Sequence, residues 1–100
     1  MKAILAVSVI VAFLRVGDVA AAGDPDAGKT KAAVCIGCHG IDGIGTSPLW
    51  PNLKGQKRAY LVKQLKAFRG GSRTDSTMST MAQPLSDEDI DNLAAYYSGL

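Results

Sequence analysis

Histidine and cysteine are scarce in this sequence, which contains one histidine and two cysteines. All three stand within a single stretch, Cys35-Ile36-Gly37-Cys38-His39. A closed structural zinc site needs four ligands, and no second cluster of such residues stands elsewhere. No segment alternates polar and apolar residues as a half-buried strand does. A thiol redox fold, in which a C-x-x-C motif lies near alternating strands and helices, is therefore not indicated.

The sequence also lacks an apolar run long enough to cross a membrane comfortably. Its longest apolar segment, residues 3–14, follows the basic start Met1-Lys2 and precedes small residues at 19–22. This is the layout of a secretory signal peptide. An uncleaved membrane anchor is the alternative, but Arg15 and Asp18 argue against a longer apolar span.

We therefore expect residues 1–22 to be a signal peptide, cleaved after Ala21 or Ala22. Residues 23–100 would then form one domain, exported to the periplasm as a soluble protein. Folded chains of this size bury a limited core and usually need an additional stabilising link or cofactor.

Neither sign of charge dominates, since the sequence contains 11 Lys and Arg residues and 9 Asp and Glu residues. The overall charge therefore indicates neither a nucleic-acid nor a membrane partner. The distribution is uneven, however, because residues 54–73 carry basic but no acidic side chains and residues 87–91 are acidic. The basic stretch either orients a partner or forms a solvated helix face.

Three segments predict helices, and the loops between them are long. The first should run from Pro25, capped by Asp24, into the cysteine turn. The second spans residues 58–68, and the third follows the cap residue Ser86. The loops at 40–55 and 72–84 are marked by glycine and proline, and loops of this length need something to order them.

The C-x-x-C-H pattern is typical of covalent c-type haem attachment. Cys35 and Cys38 would lie on one side of a helix, with His39 placed to reach the iron. A disulfide or a dithiol is the alternative, but it leaves the histidine unexplained. Haem explains all three residues and the export signal together, and it supplies a surface on which the loops pack.

Two further expectations concern the ligands of the iron. His39 should bind through Nε2 while its other nitrogen donates to a carbonyl, for which we expect Pro48. On the other face, Met78 or Met81 is the candidate ligand, because both lie in a polar loop that we expect to be non-helical. If neither binds, the iron is open to a gas or a peroxide.

The chain resembles class I cytochromes c, in particular small bacterial single-haem proteins and single halves of two-haem periplasmic cytochromes c. The resemblance is carried by several motifs in order: Cys35–Gly40, Gly55-Gln56, Tyr60–Leu65, Met78–Met81 and Leu93–Tyr97. It implies an all-α class I cytochrome c fold, with about three main helices and two long loops around one haem c.

The resemblance also implies roles for individual residues. It implies thioether bonds at Cys35 and Cys38, and His39 and Met78 as axial ligands with Met81 as the fallback. Three further roles are expected within this fold: Trp50 and Arg73 as haem contacts, and Gly28 as the point where the first helix approaches Ala94 or Tyr97.

The function that follows is a non-enzymatic periplasmic electron carrier. It would shuttle single electrons in a respiratory or related chain between larger redox proteins through a transient interface. We expect no small-molecule substrate, no nucleic acid and no embedding in a membrane. The alternatives are a ligand-binding or peroxidatic haem protein with a labile sixth ligand and an exported thiol–disulfide oxidoreductase.

Overall fold

A computed structural model describes residues 2–11 and 23–100 of the chain. Residues 2–11 form no regular secondary structure and are exposed. The expected cleavage point after Ala21 or Ala22 lies outside the described residues, so the signal peptide stays a prediction. Within the described ranges, no helix is both long and apolar enough to span a bilayer.

The described part of the chain is helical and contains no strand, which confirms the all-α expectation. Its elements are α1 (Pro25–Lys31), a 3₁₀ turn (Ala32–Val34), α2 (Ile36–His39), α3 (Arg58–Gly70), α4 (Met78–Ala82) and α5 (Asp87–Ser98).

The first helix differs from the single continuous helix that the sequence predicts. Its start is as expected, because the Asp24 side chain accepts a hydrogen bond from the Asp26 N–H at 2.9 Å and Pro25 occupies the first turn. The chain then tightens into the 3₁₀ turn, and Cys35 separates this turn from α2. Short 3₁₀ segments are common where an α-helix ends, and this one redirects the chain at the first cysteine.

Helix α4 was not anticipated, and the prediction of a non-helical loop before Pro84 is wrong there. One carboxylate oxygen of Asp75 accepts hydrogen bonds from the N–H groups of Thr77, at 3.0 Å, and Met78, at 2.8 Å. It thus satisfies N–H groups at the start of α4 that have no partner within the helix. Both candidate methionines are therefore helical.

Helices α1 and α5 pack closely at Gly28, as the sequence predicts. A Cβ atom on Gly28 would lie 1.9 Å from the carbonyl oxygen of Asn92 and 2.8 Å from the Cβ of Tyr96. The prediction of Ala94 or Tyr97 as the neighbour is wrong, because the three atoms nearest to this position belong to Asn92 and Tyr96. Asn92 and Tyr96 instead form the face of α5 that meets α1.

Helices α3 and α5 enclose a small core together with the turn and the segment around α4. Its buried apolar residues are Ala32, Leu61, Phe68, Ala82, Leu85, Ile90, Leu93, Ala94 and Tyr97. Arg69 of α3 joins this layer to the start of α5, because its guanidinium donates to the Leu85 carbonyl at 3.0 Å and to Asp87 at 2.6 Å. The same hydrogen bond and charge lower the pKa of the Asp87 carboxyl.

We predict that Gly28→Ala destabilises the protein by about 2 kcal/mol, because overpacking typically costs about 1–3 kcal/mol and outweighs the gain in helix propensity. Gly70→Ala is the matched control, since a Cβ there meets no atom within 4 Å. Urea unfolding of both variants measures the effect. Equal stabilities for the two variants would show that the close approach at Gly28 is not rigid.

Candidate functional site

The backbone of the cysteine motif is ordered by hydrogen bonds within the motif and the turn before it. Cys35 N–H donates to the Ala32 carbonyl at 2.8 Å, and His39 N–H donates to the Cys35 carbonyl at 3.0 Å. Cys38 and His39 lie on α2, while Cys35 precedes it. Both cysteines are partly buried free thiols, so the structure joins them by no disulfide bond.

His39 is held in one orientation by a carbonyl group. Its side chain is 8 % exposed, and its Nδ1 lies 2.8 Å from the carbonyl oxygen of Pro51. Because a carbonyl oxygen only accepts hydrogen bonds, Nδ1 carries the proton. Nε2 is then the nitrogen with a free lone pair, which is the arrangement of a metal-binding histidine.

The acceptor is therefore Pro51, and the prediction of Pro48 is wrong. Hydrogen bonds across the loop explain the difference, because the N–H groups of Leu53 and Lys54 donate to the Gly43 carbonyl at 2.7 and 3.0 Å. This turn brings the end of the loop, instead of its middle, against the imidazole. Pro48 is exposed.

A second pair of contacts fixes the same loop. Thr46 N–H donates to the Cys38 carbonyl at 3.0 Å, and Gly45 N–H donates to the side-chain oxygen of Asn52 at 2.7 Å. The middle of the loop is thus joined both to α2 and to the later part of the loop. Asn52 is the residue next to Pro51, so its side chain helps to hold the carbonyl that accepts from His39.

The two candidate methionines lie on α4 but have different surroundings. Met78 is half-buried, packs against the core and lies near His39. Met81 lines a surface groove between α1 and the segment from α4 to α5, together with Val34 and Pro84.

Sequence reasoning assigned Tyr97 only a packing role against α1, but the structure places its hydroxyl beside the Cys35 thiol. Tyr97 is 3 % exposed, and within the described residues its hydroxyl has no hydrogen-bond partner. Burial, and secondarily the neighbouring thiol, raise the pKa of Tyr97. Burial also raises the pKa of Cys35, while the nearby hydroxyl lowers it. No local sequence pattern predicts that Cys35 and Tyr97 are neighbours, because the two residues lie far apart along the chain.

Trp50 and Arg73 remain predictions as cofactor contacts. Trp50 is 39 % exposed and lines a shallow groove formed by its own loop. The guanidinium of Arg73 lies 4.4 Å from the centre of the Phe68 ring and donates to the Gln64 side chain at 2.7 Å. These contacts hold Arg73 against α3.

The residues present fit a covalently attached haem. Two thiols follow each other along the chain at the start of α2, and a buried imidazole with a free Nε2 follows them. The thioether side chain of Met78 lies near His39. In the described ranges, no group of three or more His, Cys, Asp and Glu side chains forms an alternative metal site.

Comparison with known proteins gives a consistent match. The family model described as "Cytochrome c" matches residues 25–100. Cytochrome c-554(548) of Halomonas halodenitrificans is 51 % identical over 80 residues, which cover 77 % of this chain and 96 % of that protein. The thiosulfate dehydrogenase electron acceptor of Thiomonas intermedia is 39 % identical over 101 residues, covering all of this chain and 45 % of that protein.

Among solved structures, reduced recombinant cytochrome c4 from Pseudomonas stutzeri superposes with a TM-score of 0.73 at 44 % identity. The match covers 77 % of this chain and 45 % of that chain. The chain thus spans about half the length of the cytochrome c4 relatives that it matches. The expected class I cytochrome c fold is confirmed.

We predict that Asn52→Ala destabilises the protein by about 1 kcal/mol, the usual net worth of one hydrogen bond, because Gly45 N–H loses its acceptor. Asn52→Asp keeps an acceptor oxygen and should lose less than half as much. Denaturant unfolding of the haem-loaded protein provides the measurement. If both variants lost the same stability, the Asn52 amide oxygen would not be what holds the loop.

Proposed function

The chain belongs to the cytochrome c family, and from this premise we propose a soluble periplasmic carrier of single electrons with His39 and Met78 as the axial ligands of its iron. Its cofactor is haem c, for which Cys35–His39 is the attachment motif. When bound, this group supplies an iron that alternates between the ferric and ferrous states. The observation that carries the proposal is the buried His39 imidazole, whose Nδ1 is bonded to Pro51.

His39 would bind the iron through Nε2. The Pro51 carbonyl fixes the tautomer and the ring plane, and a hydrogen bond of this kind raises the basicity of the ligating nitrogen. Because the side chain is buried and the loop is tied back to α2, little rearrangement of this ligand is needed when the charge on the iron changes.

Met78 would supply the second protein ligand to the iron. Its position against the core and near His39 supports this choice, whereas Met81 faces the surface groove. A thioether raises the reduction potential of haem iron in electron-transfer cytochromes. With both His39 and Met78 bound, the iron would have no open position for a substrate.

The protein is not an enzyme in this proposal. Several of its relatives carry cytochrome names without an enzymatic activity, and two are named as the electron acceptor of thiosulfate dehydrogenase. By their names, these two relatives accept electrons from an enzyme. We propose the same kind of role for this chain, with larger redox proteins as donor and acceptor. The thiol–disulfide oxidoreductase alternative has no support from the family match.

Basic side chains on and before α3 are proposed to orient those partners. Lys57, Lys63 and Lys66 are exposed, and α3 has no acidic residue in its first turn. Arg69 is engaged with Asp87 and therefore contributes less to the field of this surface. Such a surface speeds the approach of an acidic partner, and salt weakens the effect.

We predict that Met78→Ala removes the weak red absorption band of methionine ligation from the oxidised protein and lets the reduced protein bind carbon monoxide. Met81→Ala is the matched control and should keep the band. Optical spectra with and without carbon monoxide measure both effects. Loss of the band in Met81→Ala alone would assign the ligand to Met81. Ready binding of carbon monoxide by the unaltered protein would favour a ligand-binding or peroxidatic function.

We further predict that protein made with its N-terminal segment is exported and cut. Intact-mass measurement of periplasmic protein should give a chain that begins at Ala22 or Gly23 and carries one haem. A full-length chain recovered with the membrane fraction would show instead that the segment is a retained anchor.

A further inference from the structure

The hydroxyl of Tyr97 is the one buried polar side-chain atom that the described residues leave without a hydrogen-bond partner. The side chain belongs to α5, is 3 % exposed, and packs against the Tyr96 ring with 5.0 Å between ring centres. Buried hydroxyls in folded proteins are nearly always hydrogen-bonded. The position of this one therefore requires an explanation outside the packing of the core.

The neighbouring polar atom is the sulfur of Cys35. The two groups are close enough for each to perturb the pKa of the other, yet the hydroxyl has no well-formed hydrogen bond within the described residues. A thiol is both a weak donor and a weak acceptor, so either the thiol or the hydroxyl can be the donor in a contact between them.

Attachment of the cofactor changes this balance. A thioether sulfur carries no hydrogen and can only accept. The Tyr97 O–H then faces a group with which it can interact in one way only, as the donor. The direction of the hydrogen bond is open while Cys35 is a thiol, and it is fixed once Cys35 is a thioether.

We propose that Tyr97 is a positioning residue that donates a hydrogen bond to the Cys35 thioether sulfur in the haem-loaded protein, fastening that edge of the cofactor to α5 and favouring its reduced state. The proposal rests on the proposed function, since it requires haem at Cys35. The positive end of the O–H dipole points towards the cofactor, so it stabilises the form that carries one more electron. Burial strengthens this effect, because little water is present to screen it, and hydrogen bonding around a haem is one of the means by which a protein sets its potential.

The test compares Tyr97→Phe with Tyr96→Phe in the haem-loaded protein. Tyr96 is the matched control because it is adjacent on α5 and only partly buried. Loss of a hydrogen bond worth about 1 kcal/mol changes an equilibrium by about fivefold. Only the difference in the strength of this bond between the two redox states affects the redox equilibrium, so we expect a shift of about twofold to fivefold. In a potentiometric titration, Tyr97→Phe should shift the equilibrium with a reference couple by this amount towards the oxidised form. Tyr96→Phe should shift it by much less.

Resonance Raman spectra give a readout that a packing role would not change. The C–S stretching band of the Cys35 thioether should move in Tyr97→Phe and stay in place in Tyr96→Phe. In a Cys35→Ala background, where Cys38 alone holds the cofactor, Tyr97→Phe should no longer shift the redox equilibrium more than Tyr96→Phe does.

The proposal is overturned if Tyr97→Phe and Tyr96→Phe give the same redox equilibrium and the same C–S band. It is also overturned if the Tyr97→Phe shift persists unchanged in the Cys35→Ala background. Failure of the carrier function has a different signature, namely binding of carbon monoxide by the unaltered reduced protein. That result concerns the Met78 side of the iron and leaves the C–S comparison valid.

Discussion

The crossing of α1 and α5 at Gly28 is the contact on which the rest of the structure depends. Here the backbone of α1 lies so close to the Asn92 carbonyl that no Cβ can stand between them, and Asp24 N–H donates to the Asn92 side chain at 2.7 Å. The Lys31–Asp89 ion pair spans the same two helices. Because α1 leads directly into the cysteine motif, the crossing also places Cys35 beside Tyr97 of α5. Attachment of the cofactor and packing of the helices are thus parts of one arrangement.

Sequence reasoning succeeded where a short stretch of chain determines its own structure. The Cys35–His39 motif is local. So is the start of α5, where the Ser86 side chain accepts from Asp89 N–H and the Asp89 carboxylate accepts from Ser86 N–H, each at 3.0 Å. Both could be inferred because all the participating atoms lie within one turn of helix.

The errors concern contacts between residues that local patterns do not relate. Pro51, rather than Pro48, accepts from His39 because backbone hydrogen bonds to the Gly43 carbonyl cross the loop. The residue types in the loop do not predict these hydrogen bonds. Helix α4 depends on the side chain of Asp75, which reaches over to N–H groups two and three residues later. In both cases, hydrogen bonds from a side chain or across the loop determine the backbone conformation. The predictions were based mainly on the positions of proline, glycine and polar residues.

The size of the core explains why the cofactor belongs to the fold as well as to the function. Among the described residues, the only large side chains with less than 2 % exposure are Ile90 and Leu93, and the remaining core includes three alanines. A domain this small buries too little apolar surface to be very stable by itself. A large apolar ring system fixed at two sulfurs adds buried apolar area and reduces the conformational entropy of the unfolded chain. The same group then carries the electron, so the helices that hold it also set its surroundings, from Pro51 behind His39 to Tyr97 beside Cys35.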